Sequence, residues 1–239
     1  KNYRVKEIII YYLIPKFIFF RNIFFQSMPI TVSICGYALA AAIIFTYVGQ
    51  SGEYAAAGYG AGTRIEQVVL LPILGINTAI ISIIAQNYGA KNFNRIKETY
   101  ITAIKYAFMI MVISGIIVFI SAGIITSIFS NDPEVIEYGK RYLKISAFVL
   151  PAYPVFFLSN GFFMALKKSE MAMISNFFRN VLNPIVVFYI AKYIDASFST
   201  FFWIWVGINW FFSISYFLII IYYFKNRLGK SRAILNPSP

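Results

Sequence analysis

Long apolar runs alternate with short polar connections along most of the chain. A bilayer core of about 30 Å is crossed by about 20 helical residues, and each of the apolar runs reaches that length. We therefore predict six transmembrane helices, at residues 26–48, 55–88, 103–129, 142–166, 171–193 and 200–224. The predicted fold class is all-α, a polytopic membrane protein in which the six helices form one bundle.

The chain outside these helices forms two further segments. Residues 1–25 set basic side chains among tyrosines and phenylalanines, which is typical of an amphipathic leader lying in the headgroup region. A seventh span there is the alternative. Lys16 and Arg21 disfavour it, because a basic residue costs about 2.5–3.5 kcal/mol at the centre of a transmembrane helix. Residues 26–224 are predicted to form the six-helix lobe, and residues 225–239 a cytoplasmic tail.

The composition indicates an integral membrane protein and includes few of the residue types that catalysis usually requires. Apolar residues make up 59% of the chain and charged residues 13%, whereas about a quarter of the residues in soluble domains are charged. The chain has no histidine and one cysteine, Cys35, which excludes a Ser-His-Asp triad, a Cys/His zinc site and an intrachain disulfide. We therefore expect no enzyme activity, no metal site and no resident cofactor.

The net charge of +12 comes from basic residues placed between the apolar runs. Most of them fall in the two terminal segments and in the second and fourth connections, while Glu53, Asp132, Glu134 and Asp195 lie in the other connections. The positive-inside rule then places both termini in the cytoplasm. The expected partner of the basic residues is the lipid bilayer, and no nucleic-acid partner is expected.

The second predicted span carries the strongest functional signal, in the stretch GYGAGTRIEQVVLLPILGINTAIISIIAQNYGAKN at residues 58–92. Arg64 and Glu66 are two positions apart, about 200° around a helix, so they cannot easily pair with each other. An ionisable side chain within a span is a candidate for a substrate or ion pathway, because burying it unpaired costs several kcal/mol. The alternative is that both lie at the outer interface, with Arg64 extending to lipid phosphate.

Helix-weakening residues follow in the same span. Pro72 removes a backbone hydrogen bond and Gly75 allows another helix to approach, so together they predict a bend near the membrane middle. Asn77 then begins a weakly polar stripe, which would either line a wet cavity or form interhelical hydrogen bonds.

The fourth span has a second pair of helix-weakening residues. Pro151 and Pro154 lie three residues apart and predict a bend, with Asn160 as the main buried polar group after it. The connection before this span contains SNDPEV at residues 130–135, which predicts a helix start. Asn131 or Asp132 would cap it, with Pro133 in the first helical position.

The fifth span contains MISNFFRNVLNPIVV at residues 173–187. Asn176, Asn180 and Asn183 follow one another at i, i+4 and i+7, a single helical face that should look inward rather than toward lipid. Arg179 on the same helix needs a counter-charge or carbonyl groups, and Pro184 predicts a further bend. Cavity lining and structural packing both remain open for this face.

The second-span stretch and the later NGFFMALKKSEMAMISNFFRNVLNP resemble the multidrug and toxic compound extrusion (MATE) family. That family has twelve spans in two six-span halves, and this chain resembles the C-terminal half. Residues 1–25 are similar to the linker that enters that half. The resemblance implies secondary active efflux from the plasma (inner) membrane of a prokaryote, in which H⁺ or Na⁺ entry drives export of lipophilic or cationic organic compounds. It also implies a partner, either a missing N-terminal lobe or a second copy of this chain.

The chain departs from the family pattern in its acidic residues. Some members carry coupling carboxylates in the first and fourth spans of this lobe, and neither predicted span has one here. Glu66 is the one acid within a predicted span, so the transiently bound coupling ion would be held either by Glu66 or by the other half. A lipid-linked oligosaccharide flippase of the same superfamily and a non-transporting membrane scaffold subunit are the alternatives.

Overall fold

The apolar runs form long helices in the computed structural model, which describes residues 17–225 and, within them, the side chains outside residues 17–20, 22–30 and 32–34. The helices are α1 (Phe17–Gly49), α2 (Glu53–Gly89), α3 (Phe93–Ser127), α4 (Pro133–Ser146), α5 (Tyr153–Ala165), α6 (Ser169–Phe177), α7 (Asn183–Tyr193) and α8 (Phe198–Tyr223). A 3₁₀ turn at Leu150–Ala152 precedes α5, and a π turn at Phe178–Leu182 joins α6 to α7.

These helices account for the six predicted spans. Five stretches of the described chain are long and apolar enough to cross a membrane: α2, α3, Pro133–Ala165, Ser169–Tyr193 and α8. Cys35–Gly49, the second half of α1, is a shorter apolar helix. The all-α class and the integral membrane character are therefore confirmed.

The boundary predicted between leader and lobe falls inside a helix. α1 begins at Phe17, so residues 17–25 continue directly into the first span. Residues 1–16 of the leader and residues 226–239 of the tail lie outside the described residues.

The centre of the lobe is α2, which packs against α3, α4 and α5. Small residues allow close approach between these helices: a Cβ placed on Gly58 would lie 2.7 Å from the Gly139 nitrogen and 2.7 Å from the Val135 oxygen. The outer surface is strongly apolar, with Ile120 and Ile124 of α3 and Ile128 directly after it each more than 70% exposed. Such a surface suits contact with lipid.

The fourth span starts and breaks at the predicted residues. Asp132 caps α4 by accepting hydrogen bonds from the backbone N–H groups of Glu134 and Val135, at 2.9 and 3.4 Å. Pro151 lies in the 3₁₀ turn and Pro154 in the first turn of α5.

Two backbone carbonyls at this break accept hydrogen bonds from α8. The Trp210 indole N–H donates to Phe148 and the Ser213 hydroxyl to Ala152, at 2.9 and 3.2 Å.

The second span is helical throughout. α2 runs as one helix through Pro72 and Gly75, and the predicted bend there stays a prediction. Among the described residues, a Cβ at Gly75 would meet no atom within 4 Å, so the close helix approach predicted there stays a prediction. Gly58, nearer the start of the same helix, does allow close packing.

Candidate functional site

Three helices bring polar groups together around Glu66. The Tyr142 hydroxyl of α4 donates to Glu66 Oε2, and the Tyr153 hydroxyl of α5 donates to Glu66 Oε1 at 2.5 Å. Tyr153 is the first residue of α5, so the break that follows Pro151 positions its hydroxyl. Both carboxyl oxygens therefore have donors, which stabilises a charged carboxylate within an apolar lobe.

Glu66 also borders a cavity of about 120 Å³ in the interior of the lobe. The cavity lies among α1, α2, α4, α5, the π turn and α8, and its wall is largely aromatic. Besides Glu66, the lining includes Tyr37, Tyr59, Thr63, Gln67, Phe157 and Trp205. A single acid surrounded by aromatic rings and a few hydroxyl and amide groups can attract a cation, or exchange a proton, beside an apolar binding surface.

Arg179 of the π turn also lines this cavity. Its guanidinium carbon is 4.3 Å from the ring centroid of Phe156, 4.9 Å from that of Tyr153 and 5.4 Å from that of Phe157. Cation–π contacts of this kind are strongest where water is excluded. The π turn ends at Leu182, two residues before Pro184, whose ring disfavours a regular helical turn before it. The bend predicted at Pro184 stays a prediction.

The amide side chains of the fifth span face inward, but they lie at two different sites. Asn180 lines the Glu66 cavity and packs beside Gly36 of α1. Asn176 accepts a hydrogen bond at 3.0 Å from the Asn160 amide, whose oxygen in turn accepts one at 3.0 Å from the Tyr216 hydroxyl. Asn160 and Asn176 thus form a structural link between α5, α6 and α8.

Two predicted pathway residues lie away from this site. Arg64 is exposed and does not approach Glu66, as expected from their spacing on the helix. Asn77 faces Gly161 of α5, and within the described chain its buried side-chain oxygen has no hydrogen-bond partner. The structure therefore gathers Glu66, Arg179 and Asn180 from the predicted set at one cavity.

The comparison with family models decides the identity of this lobe. The MatE family model matches residues 29–189, most of the chain. The chain belongs to the MatE family.

Several relatives of this MatE lobe are named for transport, export or multidrug resistance. The chain is 26% identical over 158 residues to a FAD transporter of Shewanella oneidensis, covering 66% of this chain and 35% of that protein. It is 24% identical over 164 residues to the probable multidrug resistance protein YpnP of Bacillus subtilis, covering 69% and 34% of the two chains. For the multidrug export protein MepA of Staphylococcus haemolyticus the identity is 25% over 154 residues, covering 64% and 34%.

The fold of the lobe is similar to that of solved MATE structures. A crystal structure of MATE in complex with MaD3S superimposes with a TM-score of 0.79 at 20% identity, over 91% of this chain and 48% of that one. An outward-facing multidrug resistance MATE family transporter of the MOP superfamily gives a TM-score of 0.74 at 21% identity, over 86% and 46%. The MatE lobe thus spans about a third of its relatives' length by sequence and about half of these structures by fold.

The sequence did not single out Tyr142, Tyr153 or Phe156 in this MatE site. Their signal was weak, because aromatic residues are abundant in every span and lipid contact explains most of them. A buried acid does, however, require donors, and tyrosine hydroxyls on neighbouring spans are suitable ones. That requirement would have directed attention to the tyrosines of the fourth span.

Proposed function

We propose that the chain is one lobe of a secondary active efflux transporter, which exports lipophilic or cationic organic compounds in exchange for H⁺ or Na⁺. The observation that carries this proposal is Glu66, a carboxylate held by two tyrosines at the edge of an aromatic cavity. The second lobe would be the missing N-terminal half or a second copy of this chain. The transporter would lie in the plasma membrane of a prokaryote, with both termini cytoplasmic.

The geometry of Glu66 suggests how ion binding would move the helices. A carboxyl oxygen that takes up a proton accepts hydrogen bonds poorly, so protonation would weaken its hydrogen bond from Tyr142 or Tyr153. Because these tyrosines belong to α4 and α5, loss of one bond would loosen the contact of α2 with one of those segments. Ion uptake at one carboxylate would thereby change helix packing around the cavity.

The substrate has two candidate classes. The aromatic lining and Glu66 favour an organic cation, held by ring faces and one negative charge. Arg179, which lines the same cavity, favours an anionic aromatic compound such as a flavin nucleotide, and one relative is named a FAD transporter. The two classes carry opposite charge, so one transport assay can compare them.

A Glu66→Gln variant tests the proposal. Liposomes containing the full-length protein that includes this chain should transport ethidium when a proton or sodium gradient is imposed. Glu66→Gln keeps the shape and removes the ionisable group, so gradient-driven transport should fall by at least about tenfold, the range of a general acid–base or charge contribution. The matched control is Glu170→Gln, which changes an exposed acid at the start of α6 and should leave transport unchanged.

The outcomes separate the alternatives. Transport of FAD without transport of ethidium would favour the second substrate class. Gradient-independent movement of a lipid-linked oligosaccharide would favour a flippase, and absence of transport for all of these compounds would favour a scaffold subunit. Normal ethidium transport by Glu66→Gln would locate the coupling site in the other lobe.

A further inference from the structure

A second concave site lies on the side of the lobe, between α5, α6, the π turn and α8. We refer to this site as the side groove; it encloses about 250 Å³. Its walls include Phe156, Ile174, Phe178, Phe211, Phe212 and Ile219. The groove is open at the surface, where Phe211 is 67% and Phe178 43% exposed. An exposed apolar groove on a membrane-spanning lobe is accessible to the hydrocarbon region.

Arg179 is the one described residue that lines both the side groove and the Glu66 cavity. Its guanidinium rests on the ring of Phe156, which is a wall of the groove. None of the three ion pairs in the described part of the chain includes Arg179. The nearby Glu66 carboxylate already accepts a hydrogen bond at each of its oxygens from tyrosine. Arg179 interacts with the Tyr153 hydroxyl and is attracted by Glu66. A guanidinium has five N–H donors, so other N–H groups remain able to bind an external anion.

We propose that the side groove binds a single-chain anionic amphiphile of the fatty-acid type. The planar guanidinium of Arg179 matches a carboxylate, which it can bind through two parallel hydrogen bonds. The phenylalanine and isoleucine walls would hold the acyl chain. The enclosed volume is below the range of drug-sized sites, so it suits one chain better than the two chains of a phospholipid.

The experiment uses the full-length protein in nanodiscs and a palmitate analogue carrying a photoreactive diazirine. Labelled peptides should come from the π turn and from α8 around Phe211–Ile219. Laurate should compete with the label, whereas dodecyltrimethylammonium, with a similar chain and the opposite charge, should not. Two-chain phosphatidylglycerol should also compete poorly. Equal competition by either of these would overturn the proposal.

Two variants probe the head-group and chain positions separately. Arg179→Gln should reduce groove labelling about tenfold or more, as expected for loss of a charge-assisted pair. Ser215→Phe fills the groove without removing the cation and should also abolish labelling. Lys192→Gln removes an exposed charge at the end of α7 and should leave labelling unchanged.

The result does not depend on the transport proposal, because labelling measures binding alone. If Arg179→Gln elutes as an aggregate, Ser215→Phe decides the question. Unchanged labelling in a well-folded Arg179→Gln protein, or label spread evenly over the lipid-facing surface, would contradict a specific groove.

Discussion

Glu66 and Arg179 are both placed in an apolar lobe, and the structure stabilises each charge with aromatic residues. Tyrosine hydroxyls donate to both carboxylate oxygens, while ring faces contact the guanidinium. Tyr153 serves both groups, with its hydroxyl on Glu66 and its ring against Arg179. A change at Tyr153 should therefore disturb both charges, whereas a change at Tyr142 should disturb Glu66 alone.

Replacement of these tyrosines by phenylalanine should lower stability. Tyr153→Phe and Tyr142→Phe each leave one carboxylate oxygen without its donor, which corresponds to a loss of roughly 1–3 kcal/mol. Thermal unfolding of the purified full-length protein in detergent should show a lower midpoint for each variant. Tyr189→Phe is the matched control, since Tyr189 is 67% exposed, and should leave the midpoint unchanged. Identical midpoints for all three variants would mean that the Glu66 hydrogen bonds add no stability.

The sequence predicted which charges would matter but not their partners. Glu66 and Arg179 were candidates because ionisable groups within a span are costly. Their tyrosine and phenylalanine partners lie about 80 residues away or on other helices, and sequence periodicity contains no information about which helices pack together. Arg64 satisfied the same sequence criterion and lies exposed instead. Spacing along one helix therefore identifies candidates without deciding which are buried.

At the scale of elements, three of the prolines predicted to bend their spans lie in different local structures. Pro151 lies in a 3₁₀ turn and Pro184 follows a π turn, whereas Pro72 lies within one continuous helix. A proline removes one backbone donor in every case. Whether the helix continues through it depends on neighbouring groups that satisfy the freed carbonyl, which a single sequence does not reveal.

Two glycines of α2 should respond differently to the same substitution. Gly58→Ala places a methyl group 2.7 Å from backbone atoms of α4, so it should separate the helices and destabilise the protein by about 1–3 kcal/mol. Gly75→Ala meets no atom of the described residues within 4 Å, and alanine favours a helix more than glycine does. Its stability should be unchanged or higher.

Chemical unfolding of the two purified variants measures this difference directly. A Gly58→Ala protein as stable as Gly75→Ala would mean that α2 and α4 do not approach as closely as described. A strongly destabilised Gly75→Ala would instead indicate that another lobe packs against that face of α2.

At the scale of the whole molecule, the fold class was the most predictable property. Backbone groups in hydrocarbon must be satisfied internally, so apolar runs of this length can only be helices in a chain of this composition. Helix ends were predictable only where capping residues mark them: α4 begins at Pro133, as the SNDPEV pattern predicted, ahead of the apolar run. The helix through residues 17–25 was not predicted, because Arg21 and Asn22 interrupt its phenylalanines and isoleucines.

The orientation predicted from basic residues can be measured by cysteine labelling. Lys91→Cys lies between α2 and α3, and Asn131→Cys lies between α3 and α4, on a background with native cysteines replaced by serine. A membrane-impermeant maleimide should label Asn131→Cys in intact cells and Lys91→Cys only after permeabilisation. The reverse pattern would place both termini outside the cytoplasm.

The hydrogen bonds from Trp210 and Ser213 of α8 have a mechanical consequence for the fourth span. A proline bend whose backbone carbonyls have no hydrogen-bond partners can act as a hinge, because no hydrogen bond breaks when the bend angle changes. Here two carbonyls at the bend are held by a separate helix, so a change of angle would break both bonds in a medium without water to replace them. The angle of the bend at Pro151 should therefore stay constant, and α5 and α8 would move together as one rigid body.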